Sequence, residues 1–181
     1  VLFGLGTAKH AIREKGSVFI VEGYFDHLAL FRAGIHNVVA TCGTALTVSY
    51  LKTVRRFADT AYLLFDGDSA GKKATVRSMD LFLEESFPAR VVRLPEGEDP
   101  DTYLAKYGTE PFAAAVAAAQ PIFEFFFREL CRQIDIAGVG GKITVIDEVT
   151  PRLRKIADGV ERDLYVREIA RFLAVEERDV R

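Results

Sequence analysis

The chain has 181 residues, of which 49% are hydrophobic and 28% charged, so it is too apolar and too mixed in charge to be disordered. Its net charge of -2 excludes a general electrostatic attraction to nucleic acid or to an anionic membrane. Its 2 cysteines form neither a CxxC pair nor a zinc-binding spacing, and no apolar run approaches the roughly 20 residues that cross a bilayer, so we expect a cytoplasmic protein. The chain begins without Met, and we expect it to be part of a longer protein.

Short apolar runs alternate with helix-like segments through the first part of the chain. The runs are rich in β-branched and aromatic residues, which favours strands, and segments such as "FDHLALFRAG" and "VSYLKTVRRFA" between them favour helices. This alternation predicts an α/β fold with a mainly parallel sheet flanked by helices. The predicted strands are "VFIVE" (18–22), "NVVAT" (37–41), "AYLLF" (61–65) and "ARVVRL" (89–94).

The composition changes after residue 101. The stretch "AAAVAAAQPIFEFFFRELCRQ" is rich in Ala and Phe, and "KITVIDEVTPRLRKIADG" and "RDLYVREIARFLAV" have helical periodicity. The glycine-rich "IAGVGG" separates the first of these stretches from the others. We therefore predict two domains, an α/β domain with a lead-in helix at 1–108 and a small all-helical domain at 109–181.

Acidic residues follow three of the predicted strands. In open parallel sheets, ligands bind beyond the carboxyl ends of the strands. Several carboxylate oxygens at one edge favour a hard cation such as Mg²⁺, and spare carboxylates could hold two ions for phosphoryl chemistry. The residues expected at this edge are Glu22, Asp66, Asp68, Glu96, Glu98, Asp99 and Asp101.

The stretch "FDGDSAGKK" places Asp66 and Asp68 one residue apart. Carboxylates at that range repel each other, so either one keeps a proton or a positive charge lies beside them. Gly71, Lys72 and Lys73 follow and are predicted to open a helix, whose N-terminal amides can bind an anion. We predict that a metal ion neutralises the aspartates and that Lys72 and Lys73 contact phosphate.

Other families also place a DxD after an apolar strand. Haloacid-dehalogenase-type phosphatases use the first Asp as a nucleophile, but Ala70 stands where they have Thr or Val. A P-loop is excluded by the glycine spacing in "GDSAGKK" and by the lysine in place of its final Ser/Thr. A further alternative is that Asp66 and Asp68 only cap the following helix, which leaves Glu22 and "EDPD" unexplained.

The order of these motifs resembles a known family. "VFIVEGYFDHLAL" followed by "LLFDGDSAGKKA" resembles the Toprim pattern, in which a strand ending in Glu-Gly precedes a strand ending in Asp-x-Asp. In order, "LFGLGTAKHAI", "VEGYFD", "ATCGTALT", "FDGDSAGKKA" and "LPEGEDPDTYLAKYG" resemble the catalytic core of bacterial DnaG-type primases. The resemblance implies a Toprim domain at 1–108 and the helical subdomain of the RNA polymerase core at 109–181.

The resemblance also implies roles for single residues. Glu22, Asp66 and Asp68 fall on the catalytic acidic triad of the family. His27 stands where the family usually has an aliphatic residue, and we expect a helix-face histidine rather than a metal ligand. The implied metal is Mg²⁺ or Mn²⁺, as two or more ions. The implied metal ligands are Glu22, Asp26, Asp66, Asp68, Asp99 and Asp101.

The activity implied by the resemblance is DNA-templated synthesis of short RNA primers by metal-dependent nucleotidyl transfer at the bacterial replication fork. The partners that the resemblance implies are single-stranded DNA, ribonucleoside triphosphates, the RNA primer and, in a longer protein, the replicative helicase, with no membrane. Family members also carry a zinc domain, a basic template-binding subdomain and a helicase-binding domain, so we expect little activity from this chain alone. The alternatives are a Toprim-type metal-dependent nuclease, another Toprim nucleic-acid enzyme, or a non-enzymatic module that docks a partner through its helical tail.

Overall fold

The computed structural model describes residues 2–65 and 69–181, the side chains at 69, 70, 72 and 73 excepted. The chain divides into two compact units, Val1–Ile122 and Phe123–Arg181. Whether the functional boundary lies between 108 and 109 stays a prediction. Within the described residues, no helix combines the length and the apolar character that crossing a membrane requires.

The described part of the first unit contains a five-stranded sheet in the order β2-β1-β3-β4-β5. The first four strands are parallel, whereas β5 is antiparallel to β4. This confirms the predicted mainly parallel sheet, and only the two-residue β5, which includes a proline and has no alternating pattern, was absent from the prediction. The strands are β1 (Ser17–Val21), β2 (Val38–Ala40), β3 (Thr60–Leu64), β4 (Ala89–Val91) and β5 (Gln120–Pro121).

Helices flank this sheet. Most of α2 and α3 matches the segments that the sequence predicts as helical, and α4 begins at Ser69, close to the glycine and lysines predicted to open it. The helices of the first unit are α1 (Leu5–Lys15), α2 (Tyr24–Arg32), α3 (Val48–Arg55), α4 (Ser69–Glu84), α5 (Pro100–Tyr107) and α6 (Thr109–Ala117).

The central strands β1 and β3 are buried and end together. Val18, Ile20 and Val21 have no exposed surface, as expected for a strand in a parallel sheet covered by helices. The register pairs Val21 with Leu64, the last residues of the two strands. The residues that follow, Glu22 and Phe65, therefore emerge side by side at the carboxyl edge of the sheet.

The start of the chain lies along the outer strand β2. The backbone N–H of Phe3 donates to Ala40 O at 2.9 Å, and Ala40 N–H donates to Phe3 O at 3.1 Å. This antiparallel bridge covers an edge that would otherwise be open to pairing with another chain. Gly4, with a φ of 78°, then turns the chain into α1.

The second unit is helical, as predicted. Its helices have apolar faces with three- or four-residue spacing, such as Val145, Val149 and Leu153, which are all buried. The ring centroids of Phe123 and Tyr165 lie 4.7 Å apart. The helices that complete the chain are α7 (Ile122–Gln133), α8 (Val139–Leu153), α9 (Gly159–Leu173) and α10 (Glu177–Val180).

Candidate active site

Glu22 lies at the carboxyl edge of the sheet, directly after β1. Its side chain is half-buried, and its Oε1 atom is shielded from solvent. The loop after β2 is held beside it, because Cys42 N–H donates to Glu22 O at 2.8 Å and Thr41 N–H donates to Val21 O at 3.0 Å. The backbone around Glu22 is therefore fixed by two neighbouring segments of the chain.

Asp26 lies in the first turn of α2 and is only 8% exposed. Its Oδ2 atom accepts a hydrogen bond from Gly23 N–H at 2.9 Å, which closes the N-terminus of the helix. A carboxylate at this end of a helix is also stabilised by the helix dipole. Asp26 therefore has a structural role, because its carboxylate fixes the start of α2.

Asp99 and Asp101 lie at the start of α5. Asp99 is the N-cap, and its Oδ1 atom accepts hydrogen bonds from Thr102 N–H at 2.7 Å and from Thr102 Oγ1 at 2.8 Å. Asp101 is exposed in the first turn. The helix α5 packs against α2, which carries Asp26 in its first turn.

The other predicted site residues cannot be placed. Asp66 and Asp68 lie outside the described residues, as do the side chains of Lys72 and Lys73. In the parts of the chain that the structure describes, no three His, Cys, Asp or Glu side chains form a group that could hold a metal ion. The predicted carboxylate cluster and the two lysine contacts therefore stay predictions.

Glu98, which the sequence predicts at this acidic edge, is paired with a lysine. Its Oε1 atom lies 2.8 Å from Lys106 Nζ. This hydrogen bond lowers the pKa of Glu98 and raises the pKa of Lys106. Glu98 is thus a less suitable cation ligand than the carboxylates around it.

A cavity of about 330 Å³ adjoins Glu22. Its walls are formed by Glu22 and Phe65 at the strand ends, by the loop after β2, and by a face of α4 that includes Arg77 and Ser78. The sequence did not predict this cavity. The spacing of Ala74, Arg77, Ser78 and Leu81 on α4 places them on one helix face, which is the signal that could have identified that wall.

The loop after β2 turns sharply beside the cavity. Cys42 and Gly43 have φ angles of 51° and 76°, in the left-handed region. Thr44 Oγ1 donates to Thr41 O at 2.6 Å, which closes the turn. A side-chain hydrogen bond with Cys42 raises the pKa of Tyr24 and links this loop to the start of α2. A non-glycine residue at positive φ is costly, so the surrounding contacts determine the shape of this wall.

His27 lies on α2 but is only 6% exposed. Its ring centroid is 4.9 Å from that of Phe3 and 6.2 Å from that of Phe31. Burial lowers the pKa of the ring, and a hydrogen bond with the backbone of Val38 opposes part of this effect. These contacts agree with a packing role rather than a metal-binding one.

Two family models match the chain. A model described as Toprim-like matches residues 19–104, and a model described as the DnaB-helicase binding domain of primase matches residues 123–178. The DNA primase of Halalkalibacterium halodurans is 36% identical over 171 residues, which is 94% of this chain and 28% of that protein. The DNA primase of Aquifex aeolicus is 43% identical over 123 residues, which is 68% of this chain and 25% of that protein. The chain thus spans less than a third of these relatives.

Solved structures of primases have the same fold. A crystal structure of a DNA primase domain from Pseudomonas aeruginosa superimposes with a TM-score of 0.87 and 34% identity, over 99% of this chain and 57% of that chain. A DnaG primase catalytic domain bound to single-stranded DNA has a TM-score of 0.84 and 30% identity, over 94% of this chain and 56% of that chain. Both similarities extend through the α/β unit and the helical unit.

Proposed function

Because this chain belongs to the bacterial DnaG-type DNA primases, we propose that it forms part of a catalytic core that makes short RNA primers on a DNA template. The observation that carries this proposal is the match of both units, as one continuous chain, to primase catalytic cores. The substrates are ribonucleoside triphosphates, and the reaction is nucleotidyl transfer to a 3′-hydroxyl at the replication fork in the bacterial cytoplasm.

We propose that this edge of the sheet holds Mg²⁺ or Mn²⁺, as two or more ions. The buried Oε1 atom of Glu22 supports this, because hard cations take carboxylate oxygens and all the predicted ligands are carboxylates. When bound, the metal would lower the pKa of the attacking hydroxyl and neutralise charge on the triphosphate. The proposed ligands are Glu22, Asp26, Asp66, Asp68, Asp99 and Asp101, with Lys72 and Lys73 as phosphate contacts.

The described carboxylates are suited to holding a ligand in place. Gly23 N–H orients Asp26, and Thr102 orients Asp99, so little side-chain freedom remains to be lost when a ligand binds. Glu22 is fixed through the backbone by Cys42. We assign Glu22 as a ligand rather than a general base, because a carboxylate among other carboxylates and cations is better suited to holding charge.

Two macromolecular partners belong to this proposal. A related catalytic domain has been solved with single-stranded DNA, and we propose the same class of template for this protein. With a net charge of -2, most phosphate contacts would have to come from elsewhere in a longer protein. The sequence suggested a helicase contact outside this chain, but the match of residues 123–178 favours one through the second unit.

The test places this chain in the DNA primase of Halalkalibacterium halodurans, in exchange for the matching segment, and measures ribonucleotide incorporation on single-stranded DNA. We expect primers from this hybrid and a loss of about 100-fold or more with Glu22→Gln, since a lost metal contact removes several kcal/mol of transition-state stabilisation. Glu14→Gln, at an exposed position of α1, is the matched control.

Calorimetric titration of the 181-residue chain with Mn²⁺ gives a second measurement, which we expect Glu22→Gln to weaken and Glu14→Gln to leave unchanged. Full primer synthesis by the Glu22→Gln hybrid would contradict the proposal. Metal-dependent cutting of DNA without ribonucleotide incorporation would instead favour a nuclease.

A further inference from the structure

The cavity beside Glu22 has the size and position of a small-molecule site. Its volume of about 330 Å³ lies at the lower end of the range for ligand pockets, which suits one nucleoside rather than a nucleic acid strand. From β1 the chain crosses to β2 on one side, and β3 lies on the other side. The cavity adjoins the ends of β1 and β3, so it lies where the strand order reverses, the usual place for ligands in such sheets.

The cavity wall is largely apolar, with Phe65, Leu46 and Leu81 as its larger side chains. A buried aromatic ring such as Phe65, which is 8% exposed, offers a surface for a planar group. Inorganic phosphate alone would gain nothing from such walls. The apolar surface therefore favours a ligand with an organic, partly apolar body.

The polar groups of the cavity favour a ligand with donors and negative charge. Ser78 Oγ donates to Thr75 O at 2.8 Å and Thr44 Oγ1 donates to Thr41 O at 2.6 Å, so both hydroxyls are left with lone pairs to offer. Ribose hydroxyls and base amino groups are suitable donors to such acceptors. Arg77, exposed on α4, adds a guanidinium that can bind phosphate oxygens.

We propose that this cavity binds the nucleoside of a ribonucleoside triphosphate, with its phosphates toward the metal site proposed at Glu22 and with Arg77 as a phosphate contact. The inference rests on the proposed function, because it takes the substrate of primer synthesis as the ligand. It adds a location for the base and sugar, between Phe65, the loop after β2 and α4. It also adds Arg77 as a binding residue.

The test compares ATP with inorganic triphosphate in calorimetric titrations of the 181-residue chain in the presence of Mg²⁺. Ala74→Leu fills the cavity from α4 with a good helix former and removes no polar group. We expect this variant to weaken ATP at least about tenfold and to leave triphosphate within about twofold, a tenfold change being about 1.4 kcal/mol. We expect Arg77→Ala to weaken both ligands at least about tenfold.

Two matched variants control for the substitutions themselves. Ala113→Leu adds the same side chain at an exposed position of α6, and Arg32→Ala removes an exposed arginine at the end of α2. Both should bind ATP as the unaltered chain does. Amide NMR shifts of Gly43 and Thr44 provide a readout that needs no variant, and we expect them to move with ATP and not with triphosphate.

Equal affinity of the unaltered chain for ATP and triphosphate would overturn the inference, as would unchanged ATP binding by Ala74→Leu or unmoved amides in the loop after β2. These outcomes differ from a failure of the proposed function. A hybrid primase that incorporates no ribonucleotides, although ATP-selective binding and the effect of Ala74→Leu persist, would leave the nucleoside site standing in a protein with another activity.

Discussion

Glu22 and His27 are five positions apart in the sequence, but Glu22 faces a cavity and His27 is buried among aromatic rings. Glu22 emerges at the sheet edge beside a cavity, where a charged group can meet a ligand. His27 is enclosed by Phe3 and Phe31, where the charged form of the ring is disfavoured. The sequence predicted Glu22 as a ligand and His27 as a helix-face residue rather than a metal ligand, and the burial of His27 among aromatic rings agrees with a packing role.

The buried His27 should make stability depend on pH. Burial lowers its pKa below the ordinary value of 6.5, so the unfolded chain takes up a proton as the pH falls below that value while the folded protein does not. Stability should therefore be full above pH 6.5 and fall toward pH 5, by at most about 1.4 kcal/mol per pH unit. Urea unfolding at several pH values, without divalent metal, measures this.

His27→Leu should remove this part of the pH dependence, because leucine fills similar space without a titrating atom. His10→Leu is the control, since the side chain of His10 is 92% exposed. If the unaltered chain and His27→Leu lost the same stability between pH 7 and pH 5, the burial of His27 would have no such effect.

Helix starts do much of the positioning at the sheet edge. The N-termini of α2 and α5 place Asp26 and Asp99, and each carboxylate accepts a hydrogen bond from a backbone N–H at the start of its helix, from Gly23 and from Thr102 respectively. The capping geometry and the proposed metal ligation therefore use the same side chains. Suitable substitutions can separate the two roles.

Asp99→Ala should lower the free energy of unfolding by about 1 kcal/mol, because it removes the N-cap of α5. Asp99→Asn keeps a capping oxygen and should stay within a few tenths of a kcal/mol of the unaltered chain. Both should weaken Mn²⁺ binding in calorimetric titrations if Asp99 is a ligand. Loss of stability in both variants would show that the charge, rather than the cap, supports α5.

The turn between the Phe3 bridge and α1 depends on glycine. Gly4 has a φ of 78°, and a Cβ atom there would overlap His27 Nε2. Gly34 has a φ of 83° but open space around it. Gly34→Ala should cost about 1 kcal/mol from backbone strain alone, and Gly4→Ala clearly more, because His27 would also have to move. Urea unfolding of the two variants compares them, and equal losses would contradict the close packing of Gly4 on His27.

At the scale of the whole molecule, this chain supplies carboxylates and a cavity but no net positive charge. Its net charge is -2, and it corresponds to 28% of one primase relative and 25% of another. Affinity for nucleic acid comes mainly from cations that neutralise phosphates. The chain should therefore depend on other parts of a longer protein to hold a template.

We expect the isolated chain to bind Mn²⁺ and nucleotide but to make little or no primer on single-stranded DNA. The reason is weak template binding rather than a missing catalytic group. Incorporation of labelled ribonucleotides measures this, with the hybrid primase as the positive control. Robust template-dependent primer synthesis by the chain alone would refute the prediction.

The sequence by itself determined the alternation of strands and helices, the helical second unit and the position of Glu22 at a strand end. These features are local, because hydrophobic periodicity and a motif such as "VEGYFD" are read from adjacent residues. Only the tertiary structure decided that Glu98 pairs with Lys106, that His27 is buried, and that a cavity adjoins Glu22. The cavity walls come from segments far apart in sequence, such as Thr44 and Arg77, and no local pattern records which distant segments fold together.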